Sequence, residues 1–534
     1  MVKFLFILFF FLFAKISNGQ IQPSLSNLLR YGNGNQEIGT LSNKFQYFEN
    51  LTDFRLSLPN NFNIGLRFLY DDPPEIGENF KGIKRRFIEY NGDKLNFRIG
   101  NSSELYGRGL VLNLFENRGL AYDTWLDGIK ANYKFDNFKV SLIAGEIEFR
   151  DSITVTRFEN YKLRGGNLEY NFLDELKLGA SFISSEATIP QIDNSNLKSI
   201  SELPEFYFEF NNEKFNLFFS WANKWTNTSA INKTFEGNGI YSSVSFADES
   251  IGITIDYKNY NFDKQNPFLQ NDVTRTSKFL PFQNPPIVMK EHSYYFLSRS
   301  LHDVDFNDEV GFQLDLNYAA NEDLNFNVNF SLASRHNSYI LNNSNFEFVE
   351  DKRDANFLPI NDKKYSPYYE IFAEGEYYFN LNTVMRFGIS SRKKTIYNYF
   401  SGLNGSHTIK SFVVPLQFQK TFSENFSAIF QYEFEIVNDN YNTGEETFNN
   451  QFISILTSLF RKASAALRYE FTNNNFDISG RTNWLVGEFG YRISGSNLLT
   501  ISYGRERGGQ VCTNGICRYF LPFKGLRFTL QTNI

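Results

Sequence analysis

Cysteine is nearly absent from this chain, at two residues in 534, and histidine is held to four. None of His292, His302, His336 and His407 sits in a metal-ligand spacing such as H-E-x-x-H, so no metal, no other cofactor and no enzymatic activity is expected. Long apolar runs are missing beyond residue 14, and mean hydropathy is −0.38, which excludes a transmembrane helix. There is no Gly/Ser/Pro linker or composition shift at which to divide the chain, which favours one continuous architecture over the roughly three soluble domains its length suggests. Basic blocks are lacking too. The net charge of −6 is spread along the chain, and nucleic acid is not an expected partner.

The N-terminus supplies the one apolar run. Lys3 precedes Phe4–Ala14, and the small residues Ser17 and Gly19 follow, the order of a secretory signal peptide cleaved after Gly19. The run is about half the ~20 residues of a spanning helix, and no cysteine follows it for lipid anchoring.

Strict alternation dominates the remainder. Leu526, Phe528, Leu530 and Ile534 share one face of a strand whose other face carries Arg527, Thr529, Gln531 and Asn533. The same pattern runs through Phe426–Ile436, Leu485–Ile493, Val310–Tyr318 and Leu324–Leu332. Short polar turns separate paired strands at Asn91-Gly92-Asp93, Phe135-Asp136-Asn137, Leu173-Asp174-Glu175, Asn211-Asn212-Glu213 and Ala247-Asp248-Glu249. Five more lie at Ala320-Asn321-Glu322, Phe379-Asn380-Leu381, Phe422-Ser423-Glu424, Phe460-Arg461-Lys462 and Ser494-Gly495-Ser496. Most neighbouring turns are about 35 to 45 residues apart, two strands of ~10 residues plus a longer loop.

That rhythm predicts an all-β fold: a single large antiparallel transmembrane β-barrel of about 22 strands, within a range of roughly 20 to 26, with short periplasmic turns and long extracellular loops. Lipid demands a closed ring, because every backbone polar group needs an internal partner. An 18 % aromatic content beside only 42 % apolar residues suits aromatic girdles around a polar interior. The barrel is read over residues 60–534, leaving 20–59 as a periplasmic arm, a short plug or one more hairpin. Two connections stand out as long, Asn261 to about Asn307 and Arg335 to about Pro367, and are expected to fold inward or over the mouth.

The last strand resembles the signal read by outer-membrane barrel-assembly machinery. Three stretches, Leu105–Lys134, Asn284–Asp315 and Val511–Leu530, are similar to a family of large, functionally uncharacterised outer-membrane barrels of diderm bacteria. The resemblance implies a barrel in the bacterial outer membrane, and it implies no activity.

Cys512 and Cys517 flank an Asn514-Gly515 pair whose type I′ turn sets them opposite each other, so they are read as a disulfide staple in the final surface loop. Alternation points Arg67, Arg98, Arg386, Arg468, Arg492 and Arg527 into the lumen with Asp256, Asp315, Glu370, Glu374, Glu376, Glu433, Glu435, Glu470 and Glu488. Two roles stay open for them, a paired network that braces the ring and an electrostatic constriction. Phe268, Phe279 and Phe282, set among prolines, are candidates for an inward-docked constriction loop. His302–Glu309 reads as a solvated loop-to-strand junction rather than a calcium loop, and Gly107-Arg108-Gly109 as a kink in strand-like surroundings.

A porin-like channel for passive diffusion of small hydrophilic solutes is the function expected. The alternative is a non-transporting structural or assembly component of an outer-membrane secretion or surface-attachment complex. Expected partners are outer-membrane lipid, the assembly machinery and accessory outer-membrane proteins.

Overall fold

A computed structural model describes residues 21–534 apart from 40, 151–157, 191–194, 229–232, 263–279, 300, 352, 354–355, 399–401 and 441–445. The expected signal segment, Phe268 and Phe279 lie outside the described residues. Twenty-four antiparallel strands form one closed sheet, in which each strand pairs with its sequence neighbours in the ring. The first strand, Gln22–Ile38, pairs with Leu41–Leu58 on one side and with the last, Phe523–Asn533, on the other. Closure leaves no free edge, which is what lipid requires. Among the described residues no helix is long and apolar enough to cross a membrane.

The barrel therefore begins at Gln22 rather than at residue 60. Of the alternatives for 20–59, the structure takes the hairpin, with its two strands in register from Gln22 opposite Ser57 to Ile38 opposite Leu41. Those strands carry the ring from the expected ~22 to 24. All ten turns read from the sequence connect adjacent strands at one end of the ring, where the chain ends also meet through mutual Leu25 and Ile534 backbone hydrogen bonds of 2.9 and 2.8 Å. Phe62, Phe135, Phe138, Phe172, Phe215, Phe379 and Phe422 are exposed near that end, an aromatic girdle at a lipid–water boundary.

Toward the loop end the two faces exchange character. On Leu176–Pro190, outward Leu178, Ala180 and Phe182 give way to Ser184, Glu186 and Thr188, while the inward face changes from Lys177, Gly179 and Ser181 to Ile183, Ala187 and Ile189. Phe138–Arg150 does the same, with Glu146 and Glu148 outward and Ile147 and Phe149 buried inside. Here the wall has risen out of lipid: water now lies outside, and apolar side chains are driven to the interior.

Candidate functional site

The lumen is the only space the ring encloses, and it is filled unequally. Inward Ile143, Ile147, Tyr161, Leu163, Ile183, Leu203, Phe218, Tyr241 and Tyr260 form one apolar core with residues of three inserted connections. Ser103–Trp125 contributes Tyr106, Leu110, Val111, Leu112, Leu114, Leu120 and Tyr122; the connection after Asn261 contributes Leu280, Phe282, Val288 and Phe306; the last contributes Ile516. A polar interior all round is thus the wrong expectation for this half of the barrel. Gly107-Arg108-Gly109 also sits in an inward-folded loop, not a strand, with Gly107 and Gly109 both at positive φ. Backbone polar groups of the plug are satisfied within it: Asn113 N–H donates to Phe282 O at 2.8 Å, and Gln283 Nε2 to Leu110 O at 2.9 Å.

Phe282 is fully buried in that core, so the loop it marks does dock inward. Cys512 and Cys517 are bonded and directly paired, with Asn514 and Gly515 at φ 50° and 75°, the type I′ geometry. Their hairpin folds into the mouth instead of standing out as a surface loop. A Cβ on Gly515 would lie 2.6 Å from the Phe306 ring, so only glycine fits there.

The other half of the lumen is lined by charge, and most of it grips one segment. Val288–Arg299, hereafter the strap, runs along the inner wall from strand Asp308–Asn321 round to Ala463–Thr472. Lys290 Nζ lies 3.2 Å from Asp315, and His292 Nε2 3.1 Å from Glu370. Tyr294 Oη donates to Glu374. Glu433 accepts the Tyr295 and Phe296 backbone N–H groups at 2.6 and 2.8 Å, and Glu470 accepts Tyr295 Oη at 2.8 Å and pairs with Arg299 at 2.8 Å. Arg392, buried, donates to Leu297 O and Arg299 O and pairs with Glu370 at 2.9 Å. Tyr295 stacks on Phe452 at 4.1 Å between centroids. Burial holds the His292 imidazole below its ordinary value, offset by Glu370.

The remaining inward charges pair locally. Arg67 meets Asp53 at 2.7 Å and Glu116 at 2.5 Å; Arg98 meets Glu89 at 3.6 Å; Arg386 meets Glu376 at 2.7 Å; Arg468 meets Glu488 at 3.2 Å. Arg527 bridges Glu75, at 2.8 Å, and Glu506. Asp256 accepts from Tyr241, and Glu435 from Asn450, both at 2.7 Å. Arg492 differs: it is exposed near its turn and takes no ion-pair partner among the described residues.

His302–Glu309 is largely buried rather than solvated, with Asp303 its exposed residue. Asp305, Asn307, Asp308 and Glu309 are buried; Glu309 pairs with Lys258 and, at 2.7 Å, with His302. Asp308 accepts the His336 and Asn337 backbone N–H groups at 3.1 and 3.3 Å. Its oxygens are spent on these donors, which argues against a cation. Burial raises the Asp305 carboxyl and pushes His336 down to about 4. Neither His336 ring nitrogen has a hydrogen-bond partner among the described residues. His292 and His407 lie 3.1 and 2.6 Å from Glu370 and Asp439, and His302 and His336 both lie near Glu309.

Among the described residues three cavities of more than 600 Å³ remain, and strap residues line each of them. One of about 680 Å³ at the turn end is bounded by Lys290, His292, Tyr294, Glu374 and Glu376. Two of about 630 and 800 Å³ toward the loop end are bounded by Phe296 and Arg299, and by Tyr295 and Arg299, with Arg507 on both. Alternation flagged the wall charges, but nothing local to them marked the strap.

Solved structures similar to this chain include the siderophore receptor PirA from Pseudomonas aeruginosa (9 % identity, TM-score 0.46, covering 96 % of this chain and 80 % of that one). The P pilus usher PapC translocation pore (9 %, 0.40, 96 % and 99 %) and OprD from Pseudomonas aeruginosa (14 %, 0.35, 84 % and 93 %) are others. No curated protein matches the sequence. One family model spans residues 1–534, and the chain belongs to that family, the Family of unknown function (DUF6029).

Proposed function

We propose that this protein is an outer-membrane channel for small hydrophilic solutes, conducting passively through the polar half of its lumen and throttled by the strap. One observation carries the reading: the strap lies between a charge-lined cavity at the turn end and two at the loop end, and among the described residues no other inserted segment lines all three. Paired charges of both signs suit polar solutes that exchange water for transient hydrogen bonds. The turn end faces the periplasm in this reading, and outer-membrane lipid and barrel-assembly machinery are the partners.

Planar-bilayer recording of the purified protein tests it. Wild type should give small, stable currents, and replacing Lys290–Arg299 by a Gly/Ser linker should raise conductance several-fold. A seal in both proteins would overturn the channel. The apolar packing of the other half-lumen favours the second reading in that event, a non-transporting structural or assembly component, whose accessory outer-membrane proteins would co-purify.

A further inference from the structure

We propose that the outer wall at the loop end carries a binding site for a phosphate-bearing lipid headgroup, built from Lys393, Lys410 and an apolar ledge. The two lysines are direct cross-strand partners. Alternation turns both outward, since Arg392 and Lys394 on one strand are buried inside. Like charges facing each other across a sheet are destabilising. Elsewhere on this rim opposite signs face one another: Lys162 stands in register between Glu146 and Glu186. Lys410 is exposed and takes no ion-pair partner among the described residues, while Lys393 Nζ reaches only an amide oxygen, Asn361 Oδ1, at 2.9 Å. Lys363 adds further repulsion at Lys393. Lys364 is spent on Asp351 at 2.8 Å, and Asp362, next to Lys363 in the chain, accepts the Lys364 N–H.

The ledge is Asn356–Asn361. It lies on the outside of the ring, because its anchors face outward. Tyr257 Oη donates to Phe357 O at 2.7 Å, Asn259 Nδ2 to Asn356 O at 3.2 Å, and the Ile360 N–H to Ser334 Oγ at 3.0 Å. Tyr257 and Asn259 alternate with the inward Asp256, Lys258 and Tyr260. So placed, Phe357, Leu358 and Ile360 are 59, 57 and 41 % exposed. In water that patch is unfavourable; at the top of the lipid belt it is not. Below the lysines on the same face come the exposed Ile389 and Phe412, so the ammonium groups sit at headgroup height with acyl chains beneath. A lipid whose phosphate bridges the lysines and whose chains lie under the ledge satisfies both features at once.

The inference rests on the ring spanning the membrane with its loop end outward, and not on conduction. Native mass spectrometry of the full folded chain in zwitterionic detergent, titrated with bisphosphorylated lipid A, tests it. Wild type should retain the lipid, and K393Q/K410Q should bind roughly 30-fold more weakly, on a typical contribution per lysine at a charged lipid surface. K393R/K410R and the rim control K162Q should bind as wild type does, with heat-modifiable migration verifying that each is folded. Equal retention by K393Q/K410Q, equal retention of phosphatidylcholine by wild type, or displacement of lipid A by millimolar inorganic phosphate would each overturn the proposal. A sealed bilayer with intact lipid A binding would remove the channel and leave this site standing.

Discussion

Single buried charges in the lumen are tied to distant partners, so individual substitutions are expected to act through what they abandon. Glu370→Ala strips both Arg392 and His292 of their carboxylate in a fully buried setting and should cost about 3–5 kcal/mol, read from urea unfolding of the refolded protein. His336 is expected to make stability depend on pH. Folding holds its ring neutral down to about 4, whereas an unfolded histidine protonates near 6.5. Its contribution is therefore complete above pH 6.5 and is lost as pH falls from 6.5 to 4, by roughly 3 kcal/mol. His336→Leu should flatten that acid limb in thermal midpoints taken from pH 7.5 to 4.5; an unchanged limb would assign it to His292, whose imidazole burial also holds down. What the sequence discloses at this scale is direction. Period-two alternation is enough to aim Glu433 and Glu470 inward, but their partners arrive on a segment more than a hundred residues away in the chain, and no local pattern records such a meeting.

Elements whose determinants are local were legible. The Cys512–Cys517 hairpin is one, since an Asn-Gly turn specifies both register and geometry within six residues. Mutating both cysteines to serine should loosen the mouth by about 2 kcal/mol on a chain-entropy estimate, visible as protease nicking at the hairpin and a lower thermal midpoint. Where the hairpin goes was not legible, because its inward fold depends on Phe306 and Ile287 meeting Gly515. Ser103–Trp125 misleads for a related reason. Its Leu110-Val111-Leu112 run is apolar because it is packed on all sides inside a plug, and a short buried run reads equally well as strand. The strap is held both ways, by ion pairs and hydrogen bonds to the wall and by Tyr294, Phe296 and Leu297 buried against Phe372, Val413 and Phe452. Excising it should raise conductance at a cost in ring stability, because the buried Glu433 and Glu470 lose donors that it supplies, whereas disrupting Leu110–Leu112 should unfold the loop end.

At the scale of the whole molecule, closure is the cooperative event. The hairpin Gln22–Leu58 supplies the strand on which Phe523–Asn533 pairs, so deleting residues 22–58 should abolish heat-modifiable migration rather than yield a smaller ring. The barrel class was legible from repetition, since lipid imposes one rule on every strand. The N-terminal hairpin was not, because Asn27, Arg30, Asn33, Asn35, Lys44 and Glu49 blur its alternation. The exchange of faces along Leu176–Pro190 has its own consequence. One strand is subject to two opposite selection pressures separated by a few residues: aspartate should be rejected at Phe182 for the sake of lipid and at Ile183 for the sake of the plug, yet leucine should be the misfit at Glu186. Substitution tolerance along this wall is thus an atlas of the water line, and a scan of viable replacements would draw the height of the membrane on the barrel without a lipid ever being seen.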